Sequence, residues 1–96
     1  MKSLELAAKL AEDYGLDVRN AVVVPYVLLT TVQYGNASEQ EVRNYAQNLS
    51  TWNVAKVPEG KMPEFESAVL QLWEQLRSEL AELDEVHTEP VKEVAA

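Results

Sequence analysis

The feature that most constrains this fold is an uncharged stretch at residues 21–32, AVVVPYVLLTTV. No charged residue occurs between Arg19 and Glu39, whereas charges recur every few positions elsewhere in the chain. As a helix the stretch would be about 18 Å long, but a bilayer core needs about 20 apolar residues. We therefore expect it to leave water inside a folded domain and to form the centre of that domain.

The secondary structure of this stretch is not obvious from its residue types. Its many β-branched residues favour a strand, and Pro25 lacks the N–H group that a helix interior or a central strand requires. Strands usually end within about eight residues, so the length favours a helix over residues 18–34. Asp17 is a suitable N-cap for this helix. We expect a kink or a break near Pro25, or two short helices that meet there.

Three further helices are predicted from capping residues and apolar periodicity. Ser3 can cap a first helix that ends at about Tyr14. Residues 38–41, SEQE, form a capping box that begins a third helix. Pro63 suits the first turn of a last helix that ends at about residue 84 or 85. The last helix carries a continuous apolar stripe: Phe65, Val69, Leu72, Leu76, Leu80 and Leu83.

These elements predict an all-α fold in a small four-helix bundle-like domain over residues 1–85. The central apolar helix is expected to be kinked or broken near Pro25, and the C-terminal helix to be long and amphipathic. Residues 86–96 have little to bury and are predicted to form a frayed acidic tail. The alternative is an α+β fold, in which residues 22–24 pair as a strand with a short extended piece of the loop at residues 50–62.

Composition narrows the class of protein further. Ninety-six residues make one small domain, and the chain has no cysteine, which excludes disulfides and thiolate sites. We expect a cytoplasmic protein, because the charged N-terminal residues do not form a signal peptide and a cysteine-free chain suits a reducing compartment.

The net charge of −8 is unevenly distributed. Seven acidic and six basic residues precede position 64, a net of −1, whereas nine acidic and two basic residues follow, a net of −7. Nucleic acids and anionic membrane surfaces attract basic faces, so neither is an expected direct partner.

Residues that carry chemistry are few. His87 is the only histidine and lies three residues after Asp84, a spacing that can bind a metal, but no second motif completes a site. The chain has no glycine-rich phosphate loop and no histidine placed beside a nucleophile. We therefore expect no enzyme activity, no cofactor and no metal.

Protein–protein interaction is the function that this sequence favours, in an adaptor, an assembly or a regulatory subunit. The last helix is the expected contact element, and self-association through it as a homodimer is the simplest form. The alternative is an acidic decoy, phage- or host-encoded, that occupies the basic groove of a nucleic-acid-binding protein. The residues predicted to bind a partner are Trp52, Leu76, Glu79, Leu80, Glu82, Leu83 and Glu85.

Overall fold

The computed structural model describes residues 1–35 and 37–95, with side chains as far as Leu83. These residues form four α-helices: α1 (Lys2–Asp13), α2 (Val18–Tyr34), α3 (Glu39–Thr51) and α4 (Met62–Ala95). The predicted all-α, four-helix fold is therefore confirmed. The α+β alternative is wrong for this part of the chain, which contains no strand.

Two of the predicted helix caps are present. The Asp17 carboxylate accepts a hydrogen bond of 2.8 Å from the N–H of Asn20 at the start of α2. The Ser38 hydroxyl accepts one of 3.2 Å from the N–H of Glu41 at the start of α3. Each cap satisfies a backbone donor that the first helical turn leaves free, which fixes where these helices begin.

The sequence predicts a kink, a break or two short helices at Pro25; helix α2 is continuous over 17 residues, which excludes the break and the two separate helices. Pro25 cannot donate a hydrogen bond to the carbonyl of Ala21, which costs the helix one bond. The helix continues because the bonds on both sides remain and because it packs against α1 and α4. Val24 and Leu28 are its buried residues.

The centre of the fold is α4, which contacts each of the other three helices. Phe65, Val69 and Leu72 have 0% exposure. The prediction that residues 21–32 form the centre is therefore wrong. An uncharged helix need not be a buried one, and α2 turns only one face inward. The buried apolar residues are Ala7, Leu10, Val24, Leu28, Val42, Ala46, Leu49, Ala55, Phe65, Val69, Leu72 and Trp73.

Helix α4 extends for 34 residues and passes the end predicted at residue 84 or 85. That prediction depended on the lack of apolar residues to bury, which concerns packing rather than backbone conformation. The side chains of residues 86–96, predicted as a frayed tail, lie outside the described part of the chain. No helix among the described residues is long and apolar enough to cross a bilayer.

Candidate protein-binding surface

The apolar stripe of α4 changes its surroundings along the helix. We call Phe65, Val69 and Leu72 the inner stripe, and Leu76, Leu80 and Leu83 the outer stripe. The inner stripe is fully buried, whereas Leu76 and Leu80 are half-buried and Leu83 is 45% exposed. The outer stripe therefore retains apolar surface that the chain itself does not cover.

The position of α3 explains this change. Side chains of α3 reach α4 at Glu66, which accepts hydrogen bonds from Arg43 and Gln47. The N-terminus of α3 lies beside Trp73 and Arg77, with which Ser38 and Glu39 line a common hollow. α3 thus lies beside the inner stripe, whereas among the described residues the outer stripe shares its groove with α1 and α2.

An apolar groove of about 370 Å³ lies where α1, α2 and the outer stripe meet. Twelve residues line it, and nine of them are apolar or aromatic. The lining consists of Met1, Ser3, Leu4 and Ala7, then Pro25, Tyr26, Leu29 and Gln33, and finally Leu76, Glu79, Leu80 and Leu83.

The outward face of α2 continues this apolar surface. Val18, Val22 and Tyr26 are spaced four residues apart, so they share one side of the helix, and they are 86%, 67% and 65% exposed. Tyr26 also lines the groove, which makes the two surfaces continuous. We call Val18, Val22 and Tyr26 together with the groove the apolar face.

Trp73 holds α2 in this orientation. Its side chain is buried, and its indole N–H donates a hydrogen bond of 3.1 Å to the Thr31 hydroxyl. The Arg77 guanidinium lies 4.8 Å from the centre of the Trp73 ring, within the range of a cation–π contact. Because this hydrogen bond joins Thr31 to α4, the other side of α2, which carries Val22 and Tyr26, faces solvent.

Glu79 closes one end of the groove through contacts within the chain. Its carboxylate accepts hydrogen bonds from the Ser3 N–H at 3.0 Å, the Ser3 hydroxyl at 2.6 Å and the Gln75 amide at 2.9 Å. Ser3 was expected to be the N-cap of α1, but it lies inside that helix. The expectation is wrong because Glu79 supplies, from another helix, the acceptor that a side-chain cap would provide.

The hydrogen bonds determine the charge state of Glu79. Partial burial raises the pKa of its carboxyl group, but the hydrogen bonds from Ser3 and Gln75, and the nearby N-terminal amine, lower it more. The net pKa lies below the ordinary value for a glutamate. Glu79 is therefore ionised at neutral pH, and its carboxylate accepts the hydrogen bonds that Ser3 of α1 donates.

The other residues predicted to bind a partner do not all meet at one place. Leu76, Leu80 and Leu83 line the groove together with Glu79. Glu82 is exposed and lines an adjoining hollow that also contains Lys2.

Trp52 and Glu85 lie apart from this set. Trp52 follows the last residue of α3, is 60% exposed, and is not among the residues that line the groove. The side chain of Glu85 lies outside the described part of the chain.

Residues of α2 are the part of the apolar face that the sequence reasoning missed. Val22, Tyr26 and Leu29 belong to the uncharged stretch, which was interpreted as the interior of the domain. The signal is the combination of two observations: the stretch is apolar all round, and the described part of the chain has three other helices to cover it.

No group of three or more histidine, aspartate or glutamate side chains that could hold a metal occurs among the residues described. Comparisons of this chain with protein families, with curated proteins and with solved structures gave no match. The geometry of the apolar face is therefore the basis for assigning a function.

Proposed function

We propose that this protein is a protein–protein interaction module and that it binds its partner through the apolar face. The observation that carries the proposal is the exposure of Val22 and Tyr26 beside an apolar groove. A small domain that worked alone would gain nothing from leaving large apolar side chains in water. Contiguous exposed apolar patches mark interaction sites in soluble proteins.

The anatomy of the surface also supports the proposal. Protein interfaces combine an apolar centre that contains aromatic residues with a polar rim. Tyr26 is the aromatic residue at the centre here, and Leu29 and Leu80 line the concave side. Glu82 and Lys2 lie at the margin, where charges remain hydrated and act mainly on association rates.

Photo-cross-linking in the cells that produce the protein tests the proposal. A photoreactive phenylalanine analogue at position 26 replaces Tyr26 by a residue of similar shape, and the same analogue at Gln71 is the control. Gln71 is exposed on α4 and is not among the residues that line the groove. We expect covalent adducts with protein at position 26 and far fewer at position 71. Equal adduct yields at the two positions would overturn the proposal.

A further inference from the structure

We propose that the apolar face binds a second copy of this chain, with the two α2 helices packed antiparallel across a two-fold axis near Tyr26. This inference rests on the proposed function and names the partner. Val18 and Val22 of each copy would enter the groove of the other, opposite Gln33 and Leu29. Three features of the apolar face lead to this arrangement.

The first feature is the side-chain spacing on α2. Val18, Val22, Pro25 and Leu29 recur at intervals of four, three and four residues, the spacing by which one helix packs along another. The next charged residue after Arg19 is Glu39, so the face between them is uncharged. Two such faces can therefore meet without burying an unpaired charge, which would be costly.

The second feature is the distribution of charge at the two ends of the face. Arg19 is exposed at the N-terminal end of α2. The groove adjoins the C-terminal half of α2, and there Glu79 and Glu82 lie close together, with Lys2 beside them. Antiparallel packing places Arg19 of each copy near Glu79 and Glu82 of the other, whereas parallel packing would place the two Arg19 side chains together.

The third feature is the shape and extent of the surface. The N-terminal half of α2 is convex and exposed at Val18 and Val22, and its C-terminal half borders the groove at Leu29. The two-fold axis places the convex half of each copy against the concave half of the other, so the same contact is made twice. The large apolar side chains Met1, Leu4, Val18, Val22, Tyr26 and Leu83 of this face are 45–86% exposed, so a second copy has apolar area to bury.

Disulfide trapping tests the geometry directly, because the chain has no cysteine of its own. Under mild oxidation we expect Tyr26→Cys to form covalent dimers, since position 26 lies at the axis. Val18→Cys should not, because the two copies of position 18 would be about 24 Å apart at 1.5 Å per residue, beyond disulfide reach. Ser67→Cys, on an exposed part of α4, is the control that shows how many disulfides form through random collisions. A mixture of Val22→Cys with Leu29→Cys should give mixed dimers.

Sedimentation of point variants tests the energetics. Val22→Glu buries a charge in the proposed interface and should raise the dimer dissociation constant about a hundredfold or more. Val23→Glu adds the same charge at the next residue of α2, which is also exposed but points away from the side that carries Val18 and Val22. This substitution should raise the dimer dissociation constant less than about tenfold. Arg19→Glu should weaken the dimer more than Lys9→Glu, which makes the same charge change on the far side of α1. Circular dichroism must show native helicity in each variant.

The outcomes separate this inference from the proposed function. Dimers trapped at position 26 and not at position 18, with a larger effect at Val22 than at Val23, support the antiparallel pair. Equal trapping at positions 18 and 26 overturns it in favour of a parallel pair. A chain that is monomeric at every concentration, and traps no more at position 26 than at position 67, overturns self-association. Photo-adducts of Tyr26 with a different protein would then leave the proposed function standing.

Discussion

The inner and outer stripes of α4 consist of the same kinds of residue at the same spacing, yet only the inner stripe is fully buried. Phe65 and Leu72 have no exposed surface, whereas Leu83 is 45% exposed. α3 lies beside the inner stripe and not beside the outer one, where the groove opens. Helical periodicity therefore determines which side of α4 is apolar, and the neighbouring helices determine how much of that side remains free.

The inner and outer stripes of α4 should therefore have different effects on the stability of the domain. Residues of the inner stripe stabilise the domain, because their burial is complete in the single chain. Residues of the outer stripe have apolar area that the described side chains leave exposed. Mutations in the inner stripe should therefore lower the free energy of unfolding more than mutations in the outer stripe.

Truncation of Phe65 should cause the largest loss of stability. Phe65 has 0% exposure, and its ring packs edge-to-face on Tyr14 with centroids 4.7 Å apart. Phe65→Ala should lower the free energy of unfolding by about 3–5 kcal/mol, through lost apolar burial and the cavity that remains. Denaturant unfolding followed by circular dichroism measures this loss. A loss below about 1 kcal/mol would show that the inner stripe is not the core.

A matched pair of leucines compares the stripes directly. Leu72→Ala should cost about 2–5 kcal/mol, because Leu72 is fully buried. Leu80→Ala removes the same atoms from a half-buried position and should cost about 1 kcal/mol in the monomer. Both unfolding curves must be recorded at the lowest practical protein concentration, so that association does not contribute. Equal losses would mean that the outer stripe is already covered in the single chain.

The sequence allowed the helices to be predicted because their determinants are local. Asp17 and Ser38 satisfy donors within three residues of themselves, so the caps at these two positions can be recognised without tertiary structure. The apolar periodicity of α4 is likewise local. These signals predicted the all-α class and the starts of α2 and α3.

The apolar face could not be predicted in the same way, because it depends on contacts between distant parts of the chain. The sequence predicts Glu79 only as a residue that binds a partner, because the two hydrogen bonds that Ser3 donates to it join residues 76 positions apart. Tyr26 and Val22 looked like core residues, because no local property shows which side of an apolar helix the other helices cover. The sequence predicts that Trp52 binds a partner together with Leu76 and Leu80, but it does not show that Trp52 lies apart from the groove that those leucines line.

The engaged carboxylate of Glu79 should make stability depend on pH. The pKa of Glu79 is lower in the folded chain than in the unfolded chain. Its contribution to the free energy of unfolding is therefore complete above the pKa of an unfolded glutamate, and it is lost as the pH falls through the lower pKa of the folded chain. Glu79→Gln should cost up to about 1 kcal/mol at pH 7, because it replaces charge-assisted hydrogen bonds with weaker ones. The difference from the wild type should shrink as the pH is lowered below about 4.

Glu82→Gln is the matched control for this prediction, since it removes the same charge from an exposed position three residues further along α4. Its free energy of unfolding should stay within about 0.5 kcal/mol of the wild type. Equal effects of the two substitutions at pH 7 would show that net charge, and not the contact with Ser3, accounts for the stability difference.

Glu66 should give the smallest effect, although it also links α4 to a neighbouring helix. It accepts hydrogen bonds from Arg43 and Gln47, both at 3.5 Å, which is long compared with the 2.6 Å contact between Glu79 and Ser3. Arg43 also pairs with Glu39 at 3.0 Å, so it retains a partner when Glu66 is neutralised. The Glu66 side chain is only 13% exposed, but contacts of this length contribute little, so Glu66→Gln should cost about 0.5 kcal/mol or less.

A double-mutant cycle with Arg43→Gln isolates the Glu66 contact from its surroundings. The coupling energy should be small at low salt, and it should fall further in 1 M salt, where the Debye length is about 3 Å. The hydrogen bonds of Glu79 to Ser3 should be less sensitive to salt, because they are shorter and the Ser3 side is buried. A coupling energy between Arg43 and Glu66 as large as the loss of stability caused by Glu79→Gln would contradict this order. It would mean that a polar contact beside the inner stripe contributes as much as the one that closes the groove.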